Sequence, residues 1–130
     1  MTAETRDDNG RSQAKAQLES IVEMVSALRL ASSASDTNSA EQAIVDDPLS
    51  IQVRSGWANR SGEFEVEEFQ ILLCTGGPAV RIVGELDENL EPCNPRIEYQ
   101  DWFTPWIVLL DTTERQDEAL LEYCQQFYFE

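Results

Sequence analysis

The stretch EEFQILLCTGGPAVRIVGELDENLEPCNPRIEYQDWFTPW, residues 67–106, predicts a series of antiparallel strands around which the rest of the chain is arranged. Apolar and polar side chains alternate in three segments of it: FQILLC (69–74), VRIVGELD (80–87) and RIEYQ (96–100). Alternation with a period of two, bounded by Gly, Pro and Asn, is typical of strands joined by turns. We therefore expect three consecutive antiparallel strands in this stretch.

The connections between these strands have different predicted lengths. Gly76-Gly77-Pro78 predicts a tight hairpin, because paired glycines supply the positive φ angles that such a turn needs. The motif lacks the GxxxxGK[ST] spacing of a phosphate-binding loop, and it precedes a strand instead of a helix. Residues 87–95 predict a longer acidic turn.

The flanking segments complete an α+β fold. Ile51 and Val53 alternate with polar neighbours and predict a first strand, which makes the sheet four-stranded and mainly antiparallel. An N-terminal and a C-terminal helix are expected on one face of this sheet. The predicted boundaries are a frayed arm at 1–11 and a single domain at 12–130, with a helix at 12–30, a linker at 31–47, the sheet at 49–110 and a C-terminal helix at 113–126.

Local signals support these helices. Apolar residues recur in the first helix at three- and four-residue spacing, which favours packing on the sheet over dimerisation or partner binding: Leu18, Ile21, Val22, Val25 and Leu28. Within the polar linker we expect only a short helical turn from Ala40 to Val45, with Ser39 as its N-cap. Thr113 is expected to cap the last helix, which has acidic residues in its first turn.

Charge is the feature of the composition that departs most from the globular norm. The 130 residues include 25 Asp and Glu against nine Lys and Arg, which gives a net charge of −16 and a pI near 4.1. Such a surface repels nucleic acids and anionic membranes and is attracted to basic protein grooves. We therefore expect neither direct nucleic-acid binding nor membrane association, and the chain lacks an apolar run of about 18 residues.

The residue types offer little for catalysis. The chain has no histidine, and Cys74, Cys93 and Cys124 are too far apart in sequence to form a zinc motif, so we expect no metal or other cofactor. The polar, acidic N-terminus does not resemble a signal peptide, so reduced thiols in a cytoplasmic compartment are expected. Neighbouring carboxylates leave two interpretations open, a solvated acidic face or a glycosidase-like pair: Glu67/Glu68, Glu85/Asp87/Glu88 and Glu98/Asp101.

A sharper hypothesis is that the acidic side chains imitate nucleic acid. Same-face residues two apart on a strand are about 6.6–6.8 Å apart, a spacing similar to that of successive phosphates. The candidate partner-binding carboxylates are Glu65, Glu67, Glu68, Glu85, Asp87, Glu88 and Glu91. Trp102 and Trp106 in YQDWFTPW form an aromatic cluster for which core packing and an exposed partner anchor are both open.

Four segments resemble a group of small acidic proteins of bacteriophages and mobile elements: DPLSIQVRSGW (47–57), EEFQILLCTGGPAVRIVGELDE (67–88), IEYQDWFTPW (97–106) and LLEYCQQFYFE (120–130). SIVEMVSALR in the first helix also fits. Where those proteins tend to carry a longer charged helical insertion after this helix, the present chain has the short ASSASDTNSA. The resemblance implies a phage-like context in a bacterial cytoplasm and transfers no site residues.

Charge and resemblance together predict a non-enzymatic inhibitor of a host nucleic-acid-binding defence complex, of the anti-CRISPR or anti-restriction kind. Its expected partner is a basic groove of that complex, and a homodimer through the first helix is possible. One alternative is a small structural or regulatory phage protein that works through a helix or an aromatic interface. A further alternative is a carboxylate-based hydrolase, whose activity a single Glu or Asp substitution would abolish.

Overall fold

The chain forms three helices and a five-stranded sheet within the residues described by the computed structural model, 3–58, 60–62, 65–101 and 104–129. All neighbouring strands are antiparallel, and they lie in the sheet in the order in which they occur in the chain. The elements are α1 (Ala3–Leu30), α2 (Ala34–Asp46), β1 (Ser50–Ser55), β2 (Val66–Cys74), β3 (Ala79–Leu86), β4 (Pro92–Gln100), β5 (Ile107–Val108) and α3 (Glu114–Cys124).

The sheet has one face against the helices and one open face. Side chains alternate between buried and half-buried along β2, β3 and β4, as the sequence pattern predicts. The buried side chains meet α1 and α3, which pack over β3 and β4. These core residues of the strands are Phe69, Ile71, Leu73, Val80, Ile82, Leu86, Ile97 and Tyr99.

The hairpin between β2 and β3 is confirmed. Gly76 and Gly77 have φ angles of 101° and 139°, in the region that glycine enters without the steric penalty of a Cβ atom. The β3–β4 connection is shorter than predicted, because β4 begins at Pro92 and pairs with Leu86 of β3.

The prediction of four strands is wrong by one. β5 contains only two residues, and it pairs with the end of β4 through Glu98↔Val108 and Tyr99↔Ile107. A period-two pattern cannot be recognised in two residues, so this strand is defined by backbone pairing alone. Between β4 and β5 the Asp101 N–H donates to Thr104 Oγ1 at 2.9 Å.

Helix α1 also includes residues predicted to be a frayed arm. It begins at Ala3, and its distant contacts within the predicted arm are made at Gly10 and Arg11. Gly10 is buried, and its N–H donates to a carboxylate oxygen of buried Asp101 at 3.2 Å, while Arg11 forms an ion pair with Asp111. Three residues of the predicted apolar stripe of α1, Leu18, Ile21 and Val25, are buried in the core of its own chain, and the other two, Val22 and Leu28, are partly buried and pack against that core.

Residues 34–46, predicted to be mostly linker, form helix α2. Its N-cap is Ser33 and not Ser39: Ser33 Oγ accepts from the Asp36 N–H at 3.1 Å, with Asp36 in the first turn. Ile44 is fully buried as part of the core, and α2 contacts α1. The polar composition of this segment led to the prediction of a linker. The helix has a single buried side chain, Ile44, and therefore no apolar stripe that would predict it.

Helix α3 begins as predicted. Thr113 is its N-cap in a capping box with Gln116, and the helix ends at Cys124, two residues before the predicted end at 126. Beyond it Phe127 and Phe129 are buried, and the ring of Phe129 lies 4.9 Å from that of Phe69, centroid to centroid. The segment after α3 therefore packs against the core beside the first half of β2.

Candidate functional site

The predicted partner-binding carboxylates gather at one end of the sheet. Because β2 and β3 are antiparallel, the start of β2 lies beside the end of β3, and Glu68 is directly opposite Glu85. The β3–β4 turn follows immediately and belongs to the same end. We call this region the acidic end, and its members are Glu65, Glu67, Glu68, Glu85, Asp87, Glu88 and Glu91.

The acidic end spans both faces of the sheet. Glu68 and Glu85 are on the open face, whereas Glu67 lies on the opposite face, where its carboxylate packs against Gly56. A Cβ atom at position 56 would collide with this carboxylate, so the glycine makes room for it. The carboxylates are thus presented around the edge of the sheet instead of in one straight row.

Two arginines flank the pair of opposed carboxylates on the open face. Arg54 of β1 donates to Glu68 at 2.8 Å, and Arg96 of β4 lies 3.5 Å from Glu85. The hydrogen bond from Arg54 lowers the pKa of Glu68, so this carboxylate is ionised. Like charges directly opposite each other destabilise a strand pair, and the two guanidinium groups offset that repulsion.

Asp87 holds the β3–β4 turn. Its carboxylate accepts hydrogen bonds from the N–H groups of Asn89 at 2.8 Å and Glu91 at 3.0 Å, while Leu90 adopts a positive φ of 60°. This arrangement turns Glu88 and Glu91 outwards, and both are exposed. Together with exposed Glu65 and Glu67, they are the members of the acidic end available to a partner.

Trp106 belongs to the open face of the sheet, away from the helical core. Its ring lies under the guanidinium of Arg81, 4.1 Å from ring centroid to Cζ, and Arg81 also bonds Glu98 and Gln70. This is a cation–π contact within a polar network that lines a shallow groove of about 620 Å³. Trp102, its predicted companion, lies outside the described residues.

One exposed surface was not singled out by the sequence. Leu49, Ile51 and Val53 are 61%, 39% and 43% exposed, and we call these three residues the β1 patch. Trp57, just beyond β1, is fully exposed. The alternation of Ile51 and Val53 predicted the strand. It did not predict the exposure of these side chains, because that depends on the helices packing over β3 and β4 and not over β1.

Metal binding, membrane insertion and thiol reactivity can also be assessed in the described residues. No group of three or more His, Cys, Asp or Glu among them is placed to hold a metal ion. None of their helices is both long and apolar enough to cross a lipid bilayer. Burial raises the pKa of the Cys124 thiol, and burial is also the main cause of the raised pKa of Cys74.

Comparison of the chain with family models, curated proteins and solved structures finds no match. The resemblance to small acidic phage proteins therefore remains a prediction from the quoted segments.

Proposed function

We propose that this protein is a non-enzymatic inhibitor that occupies the basic nucleic-acid groove of a host defence complex, a CRISPR effector or a restriction enzyme. The proposal keeps the phage or mobile-element context and the bacterial cytoplasm that the resemblance implies. The observation that carries it is the convergence of the predicted carboxylates at one end of the sheet through the β2–β3 register.

The wider charge distribution supports this proposal. Six of the nine basic residues are engaged in ion pairs within the described part of the chain: Arg11, Lys15, Arg29, Arg54, Arg81 and Arg96. These cations neutralise individual carboxylates and leave the surface with a large excess of negative charge. The field around the protein therefore steers it towards positive grooves and away from nucleic acid.

The acidic end is suited to such a groove because three of its four outward carboxylates, Glu67, Glu88 and Glu91, stand on a strand or on a hydrogen-bonded turn. Glu67 extends from β2, and the Asp87 hydrogen bonds hold the turn that carries Glu88 and Glu91. A preorganised charged surface loses little conformational entropy on binding. Phosphate-binding arginines and lysines of the target would pair with these carboxylates in place of the nucleic-acid backbone.

The test is retention of a target from a bacterial lysate that contains CRISPR and restriction complexes. We expect a nuclease complex to be retained at about 0.05 M salt and released at about 0.5 M, where the screening length falls to a few ångströms. The purified target should then lose DNA binding when the inhibitor is added. Retention of no nucleic-acid-binding complex at low salt would refute the proposal.

Matched charge variants assign the effect to the acidic end. One variant carries Glu65→Gln, Glu67→Gln, Glu88→Gln and Glu91→Gln, and leaves Asp87 to hold the turn. The control neutralises the same number of exposed glutamates on the helices: Glu19→Gln, Glu23→Gln, Glu41→Gln and Glu118→Gln. We expect at least about a tenfold loss of affinity in the first variant only, with about 0.5 kcal/mol per exposed pair removed.

A second candidate function is a structural or regulatory protein that works through an apolar interface. The β1 patch and exposed Trp57 favour it, because exposed aromatic and aliphatic side chains are common anchors of protein interfaces. It predicts a partner that stays bound at high salt and that tolerates the four substitutions at the acidic end. Substitution of Trp57→Ser would then release the partner.

A further inference from the structure

We infer that the outer edge of β1 binds an extended basic segment of a partner protein, which adds a sixth, antiparallel strand to the sheet. β1 is an edge strand, and among the described residues only β2 pairs with it. The unpaired backbone groups of such an edge are a common site of strand addition. The inference goes beyond the proposed function and does not rest on it, because the apolar contacts are made by the β1 patch and not by the acidic end.

The edge offers apolar side chains on one face. Ile51 is paired with Ile71 and Val53 with Phe69, so the two β1 side chains are on the core face of the sheet. Ile71 and Phe69 are buried, while Ile51 and Val53 remain 39% and 43% exposed because α1 and α3 pack over β3 and β4. An added strand with aliphatic side chains on this face would extend the core and remove Ile51 and Val53 from water.

The centre of β1 lacks the devices that usually protect an edge from pairing. Those devices are proline, lysine, inward-pointing charges and bulges. Pro48 precedes the strand, the register shift falls at Arg54/Ser55, and residues 51–53 contain none of these features. The one charged side chain of the strand, Arg54, is on the open face and is bound to Glu68. It therefore does not face the core-face side chains of an added strand.

Charge complementarity identifies the occupant as a basic segment. Glu67 lies on the core face, and its carboxylate packs at Gly56, directly beyond the last residue of β1. Glu65 is exposed two residues before it. The exposed side chains of this face therefore run from the aliphatic Ile51 and Val53 to a carboxylate, for which a Lys or Arg side chain is the complement. The net charge of −16 adds a long-range attraction to basic segments and opposes a second copy of this chain.

The order of these groups gives the direction and the pattern of the segment. All neighbouring strands of the sheet are antiparallel, and antiparallel pairing is slightly more stable per residue than parallel pairing. In an antiparallel pair the first residues of the segment lie beside the last residues of β1. A basic residue beside Glu67 therefore precedes two aliphatic residues, opposite Val53 and Ile51, at intervals of two because opposite residues share a face.

Titration of a defined peptide into the labelled wild-type chain, followed by NMR amide shifts, tests the inference. The probe is the acetylated and amidated peptide Ser-Lys-Thr-Val-Thr-Val-Thr-Ser. We expect saturable shifts that are largest at residues 50–55, with a dissociation constant below about 1 mM. The same peptide in reverse order should bind about two- to fivefold more weakly, since it loses one exposed ion pair.

Alternate N-methylation of the probe tests strand pairing without any change to the protein. Only every second N–H of an added antiparallel strand points towards β1. Methylation of one alternate set of amides should therefore weaken binding at least about tenfold, while methylation of the other set leaves it nearly unchanged. Equal binding of the two methylated probes would overturn the inference, because simple attraction of charge does not distinguish them.

Substitutions in the protein locate the contact. Val53→Lys should weaken binding at least about tenfold, because it removes an aliphatic contact and repels the basic probe. The control Leu110→Lys adds the same charge at a position 86% exposed and outside β1, and it should bind as the wild type does. Glu67→Gln should weaken binding about two- to fivefold, whereas Glu23→Gln, exposed on α1, should not.

Three further results would overturn the inference. One is normal binding by a folded Val53→Lys variant, and the second is a set of shifts centred on the β3–β4 turn instead of on β1. The third is hydrogen-exchange protection of residues 50–55 that rises with the concentration of the protein alone, since this would assign the edge to a second copy. The methylated probes act on the wild-type chain, so they decide the matter even where a variant fails to fold.

Discussion

At the scale of single residues, Gly84 of β3 is a position where core side chains pack closely against the strand backbone. A Cβ atom there would lie 2.8 Å from two atoms of the Phe69 ring and 2.9 Å from the Cys93 carbonyl oxygen. Replacing a strand glycine by alanine ordinarily stabilises a protein by about 0.5–1 kcal/mol. Here overpacking outweighs that gain, and we expect Gly84→Ala to lower the free energy of unfolding by about 1–3 kcal/mol in urea titrations.

A double substitution checks that the Phe69 ring is the cause. Phe69→Leu leaves more room above position 84 and should destabilise the protein on its own, since it removes the contact with Phe129. If the collision is the reason, the double variant loses less stability than the two single variants together. Simple additivity would show that the effect of Gly84→Ala lies in the backbone instead.

Tyr123 is the buried polar residue that ties the connection after α2 to the last helix. Its hydroxyl donates to Asp47 Oδ2 at 2.8 Å, and the rest of the side chain is fully buried. Burial, followed by the bond to the Asp47 carboxylate, raises the pKa of the phenol well above its ordinary value. Tyr123→Phe should lower the free energy of unfolding at pH 7 by about 1–2 kcal/mol, because Asp47 loses its donor.

The raised pKa of Tyr123 also predicts a dependence on alkaline pH. The folded state keeps this proton where the unfolded state loses it, so the phenol's contribution is complete below about pH 10 and declines as the pH rises above it. The free energy of unfolding should therefore fall more steeply between about pH 9.5 and 11 in the wild type than in Tyr123→Phe. Tyr128→Phe is the control, since Tyr128 is 93% exposed and its removal should leave the wild-type slope.

At the scale of secondary-structure elements, α2 depends on its cap more than α1 or α3 does. Only Ile44 of α2 is buried, and the Ser33 cap satisfies one of the free N–H groups of the first turn. Ser33→Ala should destabilise the helix by about 1 kcal/mol, visible as faster hydrogen exchange across residues 34–46. Ser32→Ala removes a hydroxyl from the neighbouring exposed residue and should change nothing; equal effects of both substitutions would argue against the cap.

Sequence reasoning succeeded where structure follows from local chemistry. The strands β1 to β4 follow from period-two alternation, the β2–β3 hairpin from paired glycines, and the start of α3 from Thr113. It failed where distant contacts decide, as at Gly10 and Arg11 of α1, which bond Asp101 and Asp111, and in β5, which is defined by its pairing with β4. For α2 a local signal was present, since Ser33 and Asp36 have capping spacing before buried Ile44.

The candidate site was also predictable only in part. Membership of the acidic end follows from strand order and hairpin length, because these place the start of β2 beside the end of β3. The arginine partners of Glu68 and Glu85 come from β1 and β4, so they depend on the register of two further strands. The β1 patch is exposed because the helical layer covers β3 and β4 and does not extend over β1. The local sequence pattern of β1 does not predict how far that layer extends.

At the scale of the whole molecule, the excess of negative charge opposes the compact state. Added salt screens this repulsion, and it also weakens the six exposed or half-buried ion pairs found among the described residues. Because acidic residues outnumber basic ones 25 to nine, the repulsion is the larger of the two effects. We expect the free energy of unfolding to rise by about 1 kcal/mol between about 0.01 and 0.3 M NaCl, the size of one contact between unit charges in water.

The helix variant with four neutralised glutamates provides the control for this expectation. It carries less charge, so it should be more stable than the wild type in low salt and should gain less from added NaCl. Chemical unfolding in urea, which does not itself change the ionic strength, measures both quantities. A wild-type stability that falls with salt would mean that the ion pairs outweigh the net repulsion.

Salt is therefore expected to act on folding and on target binding with opposite signs. Between about 0.05 and 0.5 M, screening should strengthen the fold and weaken the attraction of the acidic end to a basic groove. Release of a target at high salt would then report lost attraction and not unfolding, and circular dichroism at the two salt concentrations would check this directly. A complex that survives high salt while the fold is unchanged would instead locate the binding energy in apolar contacts, for which the β1 patch and Trp57 are the exposed candidates.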